Sequence, residues 1–263
     1  MCAAFSRALV GLAIIAAGAA QSEVLERVVD VPTRPGITQR LILIEPEGAK
    51  ATVILYAGGH GGLQLSPSGA IGWGKGNFIV RSRQLFAAQG LAVAVVDAPS
   101  DRQGAPYFTG FRQLKESAAD GRAVVAWLRE RSKKPVWLVG TSAGTQSVAF
   151  LATELGGADA PDGIVLTSSI LRDKRGRAVS EMPLERIAVP VLVVHHEDDG
   201  CVACPFQDVP RLMERFTGAP LKELIAVRGG TSRGDPCEAF AYHGFNRLEE
   251  DVVARIAAWI AAK

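Results

Sequence analysis

Residues 140–144 read Gly140-Thr141-Ser142-Ala143-Gly144, a G-x-S-x-G pentapeptide. An apolar run at 136–139 precedes it, and a helix-compatible run at 145–155 follows. That setting predicts a tight strand-to-helix turn with the serine hydroxyl at its apex. The plain alternative is an ordinary turn carrying a solvated serine. A hydroxyl nucleophile needs a base, and the base needs an orienting carboxylate. After such a turn the acid comes next in the chain, then the histidine. Of four histidines, only His243 lies far enough downstream. The acid is expected just past the apolar run 191–195, where Glu197, Asp198 and Asp199 compete. Asp199 is preferred, being deepest in the loop and beside Gly200; Asp198 is second and Glu197 third.

Acyl chemistry also requires backbone donors aimed at the oxygen that gains negative charge. The N–H of Ala143, directly after the serine, is one candidate. The other falls in the glycine-rich stretch 58–62, around Gly59 or His60. A phosphate cradle is the rival use of such a stretch, but G-x-G-x-x-G fails. Counted from Gly59 the last position is Gln64, and counted from Gly72 it is Asn77. No G-x-x-x-x-G-K-[ST] occurs either, so nucleotide binding is set aside.

His195, His196, Glu197, Asp198, Asp199, Cys201 and Cys204 crowd into ten residues. Adjacent histidines on a strand point to opposite faces, and the spacing fits no zinc pattern. No metal and no cofactor are therefore expected. Cys201 lies two residues past Asp199 and Cys237 six before His243. If those loops meet, a Cys201–Cys237 disulfide would clamp acid to base. Closing a loop of about 37 residues would contribute roughly 3.8 kcal/mol through the unfolded chain. Cys204–Cys237 is the alternative pairing, and either leaves an odd thiol.

Within residues 1–20 the sole charged side chain is Arg7, an apolar run fills 8–20, and Ala17-Gly18-Ala19 fits a small-x-small cleavage site. This predicts a secretory signal over 1–19 and one domain over 20–263, in a periplasmic or secreted protein where disulfides persist. An uncleaved anchor is the alternative, although the run is short for a membrane span. Cleavage would remove Cys2 and Arg7, taking the formal net charge of +2 to +1. With 29 Lys plus Arg against 27 Asp plus Glu, no basic field calls for nucleic acid or a membrane surface.

The elements that must hold these residues follow from hydrophobic periodicity. Strands are predicted at 24–31 and 39–44, across the turn Pro32-Thr33-Arg34-Pro35-Gly36, then at 51–56, 91–96, 136–139, 164–167, 191–195 and 221–227. Helices are predicted at 77–89, ending at Gly90, and on the face carrying Leu114, Ala118, Gly121, Val125 and Leu128. Three more are expected at 145–155, 207–216 and 246–262, the last with Asn246 as its cap. Strands alternating with helices predict an α/β class: a mostly parallel central sheet, helices on both faces, and an antiparallel N-terminal edge.

From residue 51 to 263 the chain resembles the α/β-hydrolases, through the elbow, the acid loop and the His243-Gly244-Phe245 segment. The family's His-Gly-x-x-Asp run is matched by His195-His196-Glu197-Asp198-Asp199, except that His196 replaces glycine, and the match supports Asp199. Ser142 departs from the cysteine of dienelactone hydrolases and from the aspartate of haloalkane dehalogenases and epoxide hydrolases. The resemblance implies an α/β-hydrolase fold with a small cap or none, and a carboxylesterase-like serine hydrolase acting on a small ester. Acyltransferase, thioesterase and peptidase chemistry would use the same residues, and a non-catalytic exported binding protein is the reading from another class. Residues 168–186 leave room for only a short cap, basic at Arg172, Lys174, Arg175 and Arg177. Such a cluster is usually a solvated face; its alternative use is to favour acidic substrates. Trp73, Tyr107 and Phe108 follow strands, where pockets form in open α/β sheets, and are expected to line the substrate site.

Overall fold

Valine- and leucine-rich runs, buried along their whole length, make the centre of an eight-stranded sheet. The structure is a computed structural model that describes Met1 and residues 24–173 and 176–263. The segment read as a signal, with Cys2 and Arg7, lies outside the described residues, as do Lys174 and Arg175. The strands are β1 (Glu26–Arg34), β2 (Ile37–Ile44), β3 (Ala51–Tyr56), β4 (Leu91–Pro99), β5 (Val136–Thr141), β6 (Gly163–Thr167), β7 (Val191–His196) and β8 (Lys222–Val227). Their spatial order is β1-β2-β4-β3-β5-β6-β7-β8. β1 pairs with β2, and β2 with β4, antiparallel; every other pairing is parallel. The expected antiparallel N-terminal edge is therefore present.

The helices are α1 (Phe78–Arg81), α2 (Arg83–Ala88), α3 (Lys115–Ser132), α4 (Gly144–Glu154), α5 (Val209–Glu214) and α6 (Glu249–Ala261). α3, α4 and α5 bury their apolar sides in one core, beneath Leu41, Ile54, Leu138 and Val193. α1, α2 and α6 fill the other, against Val53, Val95, Val139 and Val194. Neighbouring positions along each central strand thus serve opposite cores, which is why both faces of those strands are apolar.

Three expected details differ. The single helix over 77–89 is broken at Ser82, whose ψ of 4° departs from helical geometry. The break lets Phe78, Ile79 and Val80 pack separately from Phe86 and Ala87. Leu114 is not part of the α3 core face; it precedes the helix and is 43% exposed. Asn246 does not cap α6: its Nδ2 donates to the carbonyl and hydroxyl of Thr231, at 3.1 and 2.9 Å, and Leu248 occupies the cap position. Glu249, Glu250 and Asp251 instead place negative charge at the helix N-terminus.

Candidate active site

Six parallel strands, β3 to β8, end on the same edge of the sheet, and the candidate residues sit in the loops that leave it. Ser142 follows β5 at once, with φ at 52°, a left-handed conformation unfavourable for a residue with a Cβ. Its neighbours explain how it is held. A Cβ on Gly140 would come within 2.5 Å of the Gly144 carbonyl oxygen, and one on Gly144 would overlap the Tyr56 carbonyl oxygen. The Ser142 N–H donates to the Thr167 carbonyl at 3.0 Å. Thr145 Oγ1 donates to the Ser142 carbonyl at 2.6 Å and accepts from the Ile170 N–H at 3.2 Å. The turn is thus fixed to both β6 and its own helix.

Asp199 leaves β7, and His243 stands in the loop before α6. His243 Nδ1 and Asp199 Oδ2 are 2.9 Å apart, in a hydrogen bond where the ring donates. Oδ1 of Asp199 accepts from the Cys201 N–H at 2.9 Å. His195 Nε2 lies 3.4 Å from Oδ2 and 2.9 Å from the Cys204 carbonyl, so that nitrogen carries the proton. Burial opposes the negative charge of Asp199, but hydrogen bonds from His195, His243 and Cys201 outweigh it and hold the carboxyl down at about 2. Of the three competing acids, Asp199 meets His243. Glu197 instead pairs with Arg228.

His243 Nε2 is buried and makes no hydrogen bond among the described residues. His243 and Ser142 line one cavity of about 1700 Å³. Two residues that give no sequence signal brace this arrangement. Ser168, itself at φ 46° and fully buried, donates its hydroxyl to the His243 carbonyl at 2.7 Å. Arg81 donates to the Gly244 carbonyl at 2.7 Å while its guanidinium pairs with Glu249.

The loop after β3 approaches from the other side. Gly59 has φ 57°, and a Cβ there would lie 2.6 Å from the Trp73 ring. Arg112 crosses beneath the loop, buried, donating to the carbonyls of Ala57 and Gly59, each at 3.0 Å, and to Ser147 Oγ at 2.8 Å. Burial, with no carboxylate partner among the described residues, pushes its guanidinium down to about 9. With those carbonyls engaged, the amide groups of the loop are directed elsewhere. Among the described residues the N–H groups of Gly59, His60 and Ala143 donate to no protein group. The His60 ring is stacked between Trp73 and Tyr107, with centroids 3.7 and 4.5 Å away, and its Nδ1 accepts from the Gly62 N–H. Burial, aided by Arg112, lowers its basicity, so it faces the site as a neutral ring.

Trp73 lines the cavity, together with Phe240, Ile170 and Arg177. Tyr107 and Phe108 do not. Phe108 is 3% exposed and packs with Ala98 and Phe111 below Arg112, while Tyr107 backs His60. Both chain positions follow a strand, but the backbone there runs beneath the β3 loop, where the Phe108 N–H donates to the His60 carbonyl at 3.0 Å, and not along the substrate site they were expected to line. Of the basic cluster, Arg172 pairs with Asp208 and Arg177 bonds to Gln113. Between β6 and β7 the described residues hold only two short 3-10 turns, so the cap is small.

Cys201 and Cys237 form a disulfide, joining the Asp199 loop to the His243 loop. Cys204 is free and buried, and burial beside the Asp199 charge pushes its thiol well above the ordinary range. Adjacent His195 and His196 diverge as expected: His196 Nε2 bonds to the Gly229 carbonyl and its ring stacks on Tyr242.

No family model matches the chain, and no curated protein matches it in sequence. Solved structures match its fold. A dienelactone hydrolase from Anabaena variabilis aligns with a TM-score of 0.64 and 15% identity, over 90% of this chain and 96% of its own. An esterase from Pyrococcus furiosus aligns at 0.63 and 16%, over 90% and 91%. A serine hydrolase without a lid from Xanthomonas campestris aligns at 0.55 and 18%, over 88% and 94%. The chain has the α/β-hydrolase fold.

Proposed function

We propose that this protein is an exported serine hydrolase that cleaves a carboxylic ester of a small molecule, with Ser142, His243 and Asp199 as its triad. The reading rests above all on one observation: a strained serine at an elbow shares a cavity with a histidine whose far nitrogen is bonded to a buried carboxylate. The neighbours called esterase and hydrolase share the fold and support the same chemistry.

His243 Nε2 takes the Ser142 proton as Oγ attacks the ester carbonyl, and the imidazolium then protonates the leaving alcohol. A water follows the same route in reverse to release the acid. The ionised Asp199 keeps the proton of neutral His243 on Nδ1, leaving the Nε2 lone pair free for Ser142. The free amides of Ala143 and Gly59 stabilise the oxyanion, and removal of one such donor typically costs about 10²–10³-fold in kcat. The small cap and wide cavity suit compact and medium esters that enter from solvent. The Cys201–Cys237 disulfide supports export, since such bonds persist in oxidising compartments.

A fluorophosphonate probe should label Ser142, and Ser142→Ala should lose at least about 10³-fold in ester cleavage while keeping its circular dichroism. Failure to label, with the fold intact, would favour a binding protein. A panel of esters, thioesters and amides then separates the remaining acyl chemistries.

A further inference from the structure

Three metal-ligating side chains converge beside this site, and a fourth is tethered to them. A ring nitrogen of His243 and the sulfurs of Cys201 and Cys204 all lie within 4.8 Å of one another. Cys237 joins them through its bond to Cys201. Cys201, Cys204 and His243 are 3%, 0% and 4% exposed. The first pair is closed into one turn by a 2.9 Å bond from the Cys204 N–H to the Cys201 carbonyl. Three thiolates and an imidazole are a complete tetrahedral set for zinc. Zinc–sulfur bonds of about 2.3 Å place sulfurs about 3.8 Å apart, so the Cys201 and Cys204 sulfurs need close by at most about 1 Å, while the Cys201 and Cys237 sulfurs, 1.98 Å apart in the disulfide, must separate once it is reduced. While the disulfide stands, neither Cys201 nor Cys237 can act as a thiolate. The S–S bond decides whether the site exists.

We propose that reducing the Cys201–Cys237 disulfide creates a zinc site made of Cys201, Cys204, Cys237 and His243, which withdraws His243 from catalysis. A thiol or phosphine reductant gives two electrons to the S–S bond, and two protons complete the thiols. Zinc binding then expels the three thiol protons to water. A disulfide oxidant takes the two electrons back, Cys201 and Cys237 rejoin, and the ion is left with Cys204 and His243 alone, too few to hold it. An ion on Nε2 occupies the lone pair that receives the Ser142 proton; an ion on Nδ1 displaces Asp199. Inhibition follows either way. That consequence rests on the function proposed above, whereas the metal site does not.

Cobalt(II) serves as the probe, added to the full chain before and after reduction with a phosphine. Reduced protein should gain sulfur-to-cobalt charge-transfer absorption at one ion per chain, and oxidised protein should not. Cys204→Ala preserves the disulfide and the proposed triad, and should weaken cobalt binding by the reduced chain at least about tenfold. Zinc should block fluorophosphonate labelling of the reduced wild type alone, with recovery on chelation. Absence of the thiolate band, an equal band in oxidised protein, or undiminished affinity in Cys204→Ala overturns the site. So does a reduced chain that unfolds by circular dichroism and does not refold with zinc. A chain that binds cobalt as described yet never labels at Ser142 keeps the site and loses the hydrolase reading.

Discussion

Ser142, Asp199 and His243 owe their positions to groups on three different loops, and the supporting bonds differ in what they control. Among the described residues Ser168 makes no hydrogen bond to Ser142 or Asp199, yet its hydroxyl donates to the His243 carbonyl at 2.7 Å. A bond of this kind is worth about 1 kcal/mol, so Ser168→Ala should lower kcat about fivefold and leave KM near its original value. Steady-state kinetics on one ester would decide it, an unchanged kcat counting against the brace. Asp199 carries a second, thermodynamic consequence. Its carboxyl is held at about 2 in the fold against 3.8 for the free group. The stability this ionisation contributes, about 2 kcal/mol, is complete above about pH 4 and is lost as pH falls towards 2. Asp199→Asn should therefore be less stable than the wild type near pH 6, with the gap narrowing by about that amount at pH 2 in denaturant titrations. The proposed triad was legible because its members are few in type and ordered along the chain. Ser168 and Arg112 were not: they act on backbone carbonyls, and a carbonyl leaves no mark in a sequence.

At the scale of elements, close approach does most of the placing. α4 lies so near β3 that a methyl on Gly144 would occupy the Tyr56 carbonyl oxygen. Gly144→Ala should accordingly cost more than about 3 kcal/mol or prevent folding, where the same change in an open helix would stabilise it. Thermal melting measures the sign directly. The central strands and α3, α4 and α6 could be read from periodicity because long buried faces repeat their apolar positions. The errors fall where a residue serves a tertiary neighbour instead of its own element. Asn246 looks like a helix cap but ties down Thr231, and Ser82 interrupts a run of helix-compatible residues so that two short helices reach the core. Phe108 follows the same logic, drawn under Arg112 and away from the cavity.

Across the whole molecule, the loops that carry the site share one sheet edge, and the Cys201–Cys237 bond spans two of them over 36 residues. Losing it through Cys237→Ala should cost up to about 4 kcal/mol and lower Tm by roughly 8–15 °C. A change under about 2 °C in calorimetry would show that the bond adds nothing to the fold. The alternation of strands and helices announced this architecture, and the places of Cys201 beside Asp199 and of Cys237 before His243 already suggested the bond, with Cys204 as the other candidate for it. The flanks of the sheet carry a different lesson. β1 is studded with Glu26, Arg27, Asp30 and Arg34 around Pro32, and β8 opens with exposed Lys222 and Glu223. A strand from another copy that tried to zip onto either flank would meet Pro32, which has no N–H to offer, on β1, or the charged Lys222 and Glu223 on β8. The two outermost strands thereby oppose growth of the sheet into ribbons when copies of the protein crowd together.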